Sequence, residues 1–127
     1  MARQSVPGER PLVWVGSSKA DLLSFPSPVV TEFGNALGVA QFGGTHTSAK
    51  PWKGEGAGVF EIVENFDGNA YRAIYTVRFK KVVYVLHAFQ KKSHQGIKTP
   101  LADVNLVKQR AKVAKQDYEV TYGKSEE

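Results

Sequence analysis

Two stretches of the sequence decide the fold: YRAIY at residues 71–75 and VVYVLHAFQKK at residues 82–92. The first lies in a segment whose side chains alternate between two faces, which predicts a β-strand. The second is apolar on both faces until its closing lysines, which is typical of a strand in the middle of a sheet. Adjacent strands of this kind hold Arg72 beside Lys91 and Lys92 on a rigid surface. Such a group of cations suits an RNA phosphate.

The sequence around these stretches completes an antiparallel meander. Residues 59–66 alternate in the same way and predict a strand, and Asp-Gly-Asn at 67–69 is a hairpin turn. Residues 70–79 are expected to form the second strand, with Arg72 on the face opposite Tyr71. Lys80 and Lys81 then turn the chain into the third strand.

The remaining elements are two helices, a further strand and a C-terminal helix. Residues 12–15 predict a short strand, and a short helix follows through Leu23. A longer helix begins near Ser27 and stops at Gly43-Gly44, and residues 43–58 are expected to be a loop. The last helix begins at Thr99-Pro100, with Thr99 as its cap. The order strand, two helices, antiparallel three-stranded meander and C-terminal helix predicts a small α+β fold.

Length and composition predict one domain and exclude several kinds of site. We expect residues 1–10 to be a flexible leader, residues 11–117 a single domain and residues 118–127 a flexible tail. The 127 residues include no cysteine, which excludes disulfides and thiolate chemistry. The sequence shows no secretion signal and no apolar run long enough for a membrane span, so a cytoplasmic protein without a membrane partner is expected.

Charge is unevenly distributed along the chain. The formal net charge is +5, with 17 basic and 12 acidic residues. Between residues 72 and 92 no carboxylate occurs, whereas six basic residues do: Arg72, Arg78, Lys80, Lys81, Lys91 and Lys92. The local positive field favours a polyanion or an acidic protein partner, although a solvated basic surface explains the net charge alone equally well.

The element order and the segment Leu86-His87-Ala88-Phe89-Gln90-Lys91-Lys92 resemble the RelE/ParE toxin superfamily, and most of all its phage-derived Gp49-like, or HigB-like, branch. The resemblance extends from about Leu12 to Ala114 and includes Thr99-Pro100 and the following helix with Lys108-Gln109-Arg110. It implies the RelE-like fold and the toxin of a type II toxin–antitoxin system. It also implies a metal-independent endoribonuclease that cleaves mRNA, often on the ribosome.

The same resemblance implies partners and site residues. The partners are mRNA, a cognate antitoxin of the helix-turn-helix class and, only through the antitoxin complex, operator DNA; no cofactor is implied. Arg72 matches the strand arginine that contacts the scissile phosphate, and Lys91 and Lys92 match the basic pair that ends the last strand. Lys53 lies where the family often has a basic residue. The chain departs from the family in the acidic residues of its 59–66 strand, and its only candidates for a C-terminal catalytic tyrosine are Tyr118 and Tyr122.

Each candidate also has a structural interpretation. A guanidinium offers two phosphate oxygens a fixed fork, but Arg72 could equally pair with Glu61 or Glu64 on the neighbouring strand. The lysine pair either binds phosphate and supplies a base, its pKa lowered by neighbouring cations, or is an inert strand end. His87 is a candidate acid–base, although a packed core histidine on the face of Val83, Val85 and Phe89 is the stronger expectation.

The candidate RNA-binding residues are Lys53, Arg78, Lys80, Lys81 and Phe89, the last as a base-stacking ring unless it belongs to the core. The three histidines are scattered, without carboxylates at metal-ligand spacing, so no metal site is predicted. Two other functions remain open. A ParE-like toxin would inhibit gyrase through a protein-binding surface, and a phage-derived module would bind nucleic acid or protein without catalysis.

Overall fold

A computed structural model of the chain describes residues 7–91 and 99–123. In these residues eight elements follow one another along the chain: β1 (Leu12–Trp14), α1 (Ser18–Leu23), α2 (Ser27–Gln41), β2 (Ala49–Pro51), β3 (Val59–Phe66), β4 (Asn69–Thr76), β5 (Val83–Lys91) and α3 (Leu101–Tyr122). No helix within the described ranges is long and apolar enough to cross a membrane.

The strands form one sheet in the order β1-β5-β4-β3-β2. β1 pairs with β5 in parallel, and the other neighbours are antiparallel. The predicted α+β order and the three-stranded meander are thereby confirmed. The structure adds β2, which falls in the stretch expected to be a loop. Its three residues pair only with β3 at the sheet edge, where Pro51 is tolerated.

Helices cover both faces of the sheet. On one face α1 and α2 pack against side chains such as Ile62, Ala73, Tyr75 and Val85. On the other face α3 packs with Val107, Ala111, Ala114 and Tyr118 against a second buried group that includes Val59, Ile74 and Leu86. The two faces are called here the α2 face and the α3 face. β5 contributes buried residues to both, which confirms that it is a central strand.

A β-bulge interrupts β5. Tyr75 pairs with Val85, but the preceding Ile74 pairs with His87. Leu86 is therefore an extra residue without a cross-strand partner on β4. Every residue of β5 after the bulge therefore lies on the opposite face from that given by strict alternation. The prediction that His87 shares a face with Val83 and Val85 is wrong for this reason. His87 lies on the α3 face.

The C-terminal helix is longer than predicted from the sequence. It continues to Tyr122, whereas residues from 118 onward were expected to be a tail. Tyr118 is buried and packs between the rings of Phe79 and Tyr122, and this burial stabilises the last turns. The predicted cap is also displaced: the extended Pro100, not Thr99, occupies the N-cap position.

Two arginines join elements that are distant in sequence. Arg10, placed by prediction in the leader, donates to the carbonyl of Ala40, and its own carbonyl accepts a hydrogen bond from Gln41. Arg110 of α3 donates to the carbonyl of Leu86, in the bulge, at 3.0 Å, and to Ser17 Oγ at 3.1 Å. α3 is thus fixed directly to the irregular part of β5.

Candidate functional site

Arg72 lies on β4 and points to the α3 face, where the strand alternation placed it. Its Nη1 forms an ion pair with the carboxylate of Glu61 on the adjacent β3. Both side chains are largely buried, at 14% and 13% exposed. The buried Nε of Arg72 has no hydrogen-bond partner among the described residues. The guanidinium is therefore held by one carboxylate and keeps a donor that this part of the protein leaves unused.

Lys91 is the last residue of β5 and is brought to the same face by the bulge. It pairs across the ladder with Ala70, two residues from Arg72 on β4. Only 5% of Lys91 is exposed. Burial lowers the pKa of Lys91, the charges of Arg72 and Lys50 lower it further, and Glu61 opposes them. The effect of neighbouring cations was predicted from the sequence, but the larger effect of burial was not.

Lys50 on β2 extends this group of charges to the edge of the sheet. It is the cross-strand neighbour of Glu61, and its own side chain is exposed. Glu61 therefore lies between two cations, Lys50 on one side and Arg72 on the other. We call Lys50, Glu61, Arg72 and Lys91 the charged cluster.

Beside the charged cluster is a pocket of about 530 Å³ between β2, β3 and the start of α3, called here the β2–α3 pocket. It is lined by Glu61 together with Lys50, Pro51, Trp52, Lys53, Thr99 and Val104. Lys53, a predicted RNA-binding residue, thus lies at the pocket, and its side chain is exposed.

His87 and Phe89 lie on the α3 face beside the charged cluster. His87 Nε2 is 2.7 Å from Asp103 Oδ1 in the first turn of α3, and its ring stacks on Phe89 with centroids 4.8 Å apart. Only 5% of His87 is exposed, and its Nδ1 is buried without a partner among the described residues. Phe89 is 9% exposed and pairs across the ladder with Arg72. Both therefore have the packed surroundings of core residues, the interpretation that the sequence favoured for His87.

The other predicted RNA-binding residues are not brought to this site. Arg78 donates to the backbone carbonyls of Glu55 and Ala57 and so holds the 55–58 turn. Lys80 and Lys81 are exposed in the turn between β4 and β5, and Lys81 lies over the ring of Tyr122. β5 has nine residues, so at about 3.3 Å per residue this turn is roughly 26 Å from Lys91.

Lys92, the second member of the basic pair, lies outside the described residues. Tyr118 and Tyr122 belong to the far end of α3, near Tyr84, whose hydroxyl donates to Asp117 at 2.7 Å. They are therefore remote from the charged cluster. Among the described residues, no group of three or more His, Asp or Glu side chains is placed to hold a metal ion.

Two residues of this site, Lys50 and Asp103, were not predicted. Glu61 was predicted only as a structural partner for Arg72, and the ion pair confirms that contact. Lys50 was assigned to a loop, and no contact of Asp103 with His87 was predicted. Only Glu61 had a detectable signal, because its strand neighbours that of Arg72. The pairing of Lys50 depends on β2, and that of Asp103 on how α3 packs over the sheet.

The sequence also matches a known protein family. The profile of the phage-derived Gp49-like proteins matches residues 20–112, which include α2, the whole meander and the first half of α3. The chain belongs to the Gp49-like family. The resemblance to the phage-derived Gp49-like proteins, found from the sequence, is thereby confirmed.

No curated protein sequence matches this Gp49-like chain. Among solved structures, a chain from the crystal structure of the toxin–antitoxin complex RelBE2 of Mycobacterium tuberculosis is similar to it. The match has 19% sequence identity and a TM-score of 0.47, and it covers 65% of this chain and 99% of that chain.

The site of this Gp49-like protein can bind an anion and can move a proton. Arg72, Lys50 and Lys91 supply positive charge from three different strands, which holds the charges at fixed positions. Lys91 can exist as a neutral amine more readily than an exposed lysine because its pKa is lowered. Glu61 adds a carboxylate that touches the guanidinium directly. Together these groups suit a phosphodiester as a reacting ligand.

Proposed function

We propose that this protein is the toxin of a type II toxin–antitoxin pair and acts as a metal-independent endoribonuclease on mRNA. Membership in the Gp49-like family supports the toxin role. The observation that carries the chemistry is the placement of Arg72 and the buried Lys91 on one face of adjacent strands, next to Glu61. Arg72 and Lys91 match two of the requirements of RNA cleavage, charge stabilisation and a base.

RNA cleavage without a metal requires movement of two protons and stabilisation of charge on phosphorus. The 2′-oxygen loses its proton to a base and forms a new bond to phosphorus. The bond from phosphorus to the 5′-oxygen breaks, and that oxygen takes up a proton from water. The products are a 2′,3′-cyclic phosphate and a 5′-hydroxyl, and negative charge on the non-bridging oxygens peaks between the two steps.

Arg72 is the residue suited to those non-bridging oxygens. Its guanidinium presents donors in a planar fork, and one of them is unused within the described residues. The ion pair with Glu61 fixes the fork in the absence of substrate. A phosphate that approaches Arg72 replaces or shares this carboxylate contact, and the charge of Arg72 is then available to the transition state.

Lys91 is our candidate for the base that receives the 2′-hydroxyl proton. Burial and the nearby Arg72 lower its pKa, which raises the fraction of neutral amine near neutral pH. His87 is assigned a positioning role instead, since one ring nitrogen is engaged by Asp103 and the other is buried. The His87–Asp103 contact joins the start of α3 to the strand that carries Lys91.

The proposal includes the partners of such a toxin. The substrate is mRNA, met in the cytoplasm during translation on the ribosome. A cognate antitoxin of the helix-turn-helix class blocks activity, and operator DNA is bound only by the toxin–antitoxin complex. The net charge of +5 fits an acidic or polyanionic partner.

The decisive experiment adds purified protein to a defined mRNA during translation in vitro and maps new 5′ ends by primer extension. Cleavage by the wild-type protein and by Lys80→Ala, but not by the double variant Arg72→Gln/Glu61→Gln, is expected. The double variant removes both members of the ion pair, so neither of them is left buried without the other. Lys80 is an exposed cation at the other end of the sheet and serves as the control for charge.

Other outcomes separate the alternatives. If the wild-type protein arrests growth while mRNA stays intact and gyrase is inhibited, the protein is a ParE-like poison. If it neither cleaves RNA nor arrests growth, yet binds polyanions in a salt-sensitive manner, it is a binding module. Either result overturns the endoribonuclease proposal.

A further inference from the structure

The β2–α3 pocket has the size and lining of a small-ligand site. Its volume of about 530 Å³ lies in the usual range of roughly 300–1,000 Å³ for such pockets. Pro51, Trp52 and Val104 provide an apolar wall, and Thr99 adds a hydroxyl. Trp52 is only 6% exposed and belongs to the core of the α3 face, so the wall that it forms is rigid.

Cations stand beside this apolar wall. Lys50 and Lys53 both line the pocket and both have exposed side chains. Lys53 follows the end of β2 by two residues, so both lysines reach the pocket from one short segment of the chain. A pocket with an apolar wall and cations at its border fits a ligand that is flat and apolar at one end and anionic at the other. A nucleotide has this form.

The position of the pocket relative to Arg72 gives the nucleotide a place in the substrate. Glu61 lines the pocket and is also the ion-pair partner of Arg72. The strand of Lys50 and the strand of Arg72 are separated only by β3. Two strand spacings are roughly 10 Å, which is about the reach of one nucleotide from base to phosphate.

We propose that the β2–α3 pocket binds the base of the nucleotide adjacent to the cleaved phosphate, with Lys50 and Lys53 on a neighbouring phosphate of the RNA. This inference rests on the proposed function and adds a specificity-determining subsite to it. The base packs against Trp52 and Val104, while the scissile phosphate reaches Arg72. The pocket then influences which nucleotide is positioned for cleavage.

Nucleotide binding can be measured apart from cleavage through Trp52. The chain has two tryptophans, so the Trp14→Phe protein reports on Trp52 alone. Titration of this protein with ribonucleoside 3′-monophosphates is expected to change its fluorescence. Ribose 5-phosphate and inorganic phosphate, which lack the base, are expected to give no comparable saturable change.

Two variants and their matched controls test the two parts of the pocket. Val104→Phe fills the pocket and should abolish the fluorescence response, whereas Val113→Phe adds the same ring at an exposed site on the same helix and should not. Lys53→Glu reverses an exposed charge, which presents little risk to folding. It should weaken nucleotide binding by about tenfold or more, the loss of roughly one charge contact. Lys80→Glu should leave binding unchanged.

The same variants are then tested for RNA cleavage. Under the proposal, Val104→Phe and Lys53→Glu shift the set of cleaved positions or slow cleavage, and the two controls retain the wild-type pattern. If the wild-type protein cleaves RNA while neither variant alters fluorescence or cleavage, the pocket proposal is overturned and the endoribonuclease stands. If nucleotides bind at Trp52 but no RNA is cleaved, the pocket stands as a nucleotide site and the proposed function fails.

Discussion

Arg72 and Glu61 form an ion pair between neighbouring strands on the sheet face that α3 covers in part. Each is the ion-pair partner of the other, and both side chains are largely removed from water. The charge of Arg72 is therefore placed and oriented before any ligand arrives. The pair also makes the two residues dependent on each other for stability, which allows their structural and functional roles to be separated by experiment.

Loss of Arg72 alone should destabilise the protein more than loss of the pair. Arg72→Gln leaves the Glu61 carboxylate buried without its partner, at an expected cost of about 2–3 kcal/mol in the free energy of unfolding. The double variant Arg72→Gln/Glu61→Gln should lie within about 1 kcal/mol of the wild type. Denaturant unfolding of the wild type, both single variants and the double variant completes the cycle. Additive effects would show that the ion pair does not contribute to stability.

Arg72→Lys should preserve the fold and reduce activity. The substitution keeps the positive charge beside Glu61 but removes the planar fork that can hold two phosphate oxygens. We expect the cleavage rate to fall by about 10²–10³-fold, the usual cost of removing one preorganised donor from a developing negative charge. The measurement is the single-turnover cleavage rate of a short RNA. A rate within threefold or so of the wild type would leave Arg72 with a structural role only.

Stability should depend on pH through Lys91. Its pKa is lowered in the folded protein, so between that lowered value and the ordinary value near 10.5 the unfolded chain binds more protons than the folded one. Stability therefore rises with pH across this window. Lys91→Met has no such titration. The free energy of unfolding of Lys91→Met minus that of the wild type should therefore be most positive near neutral pH and should fall as the pH approaches 10.5. Urea unfolding of both proteins from pH 7 upward tests this, and a constant difference would contradict it.

The contact of Arg110 with the bulge should contribute measurably to folding. Arg110→Met removes the donor to the buried Leu86 carbonyl and should cost about 1–3 kcal/mol. Lys112→Met removes the same charge from an exposed position of the same helix and should change stability by no more than about 0.5 kcal/mol. Equal effects of the two substitutions would mean that only the net charge matters.

The last turns of α3 should prove essential to the core. Tyr118→Ala removes a ring that is 1% exposed and in contact with Phe79, so a loss of about 3–5 kcal/mol is expected. Val120→Ala, two residues further along and 88% exposed, is the control and should be almost neutral. Thermal unfolding followed by circular dichroism compares the two. A small effect of Tyr118→Ala would restore the idea of a tail.

Much of the fold was predictable because its signals are local. The alternation around Arg72 fixed its face correctly, and the apolar run of β5 identified the central strand. The end of α3 could also have been predicted from the sequence. Val107, Ala111 and Ala114 are spaced by four and three residues, and Tyr118 follows after four more, as expected for one buried face of a helix. This spacing continues the buried stripe past residue 117, so the prediction of a tail from residue 118 was wrong.

The candidate site was predictable only in part because its contacts cross between layers. Arg72 and Lys91 could be placed on adjacent strands from the sequence. No periodicity shows that α3 brings Asp103 to His87, or that the short β2 brings Lys50 to Glu61. The bulge at Leu86 was invisible for a related reason. A strand that is apolar on both faces gives no alternation against which an additional residue could be detected.

That additional residue means that the charged cluster depends on the number of codons for this strand as well as on their identity. A gene with one additional codon between Phe89 and Lys91 would still specify Arg72, His87, Phe89 and Lys91, and β5 would still supply both apolar layers up to Phe89. Its lysine, however, would point toward α2, away from the guanidinium. Among related genes, the length of this strand therefore separates chains able to assemble the charged cluster from chains that only contain its residues.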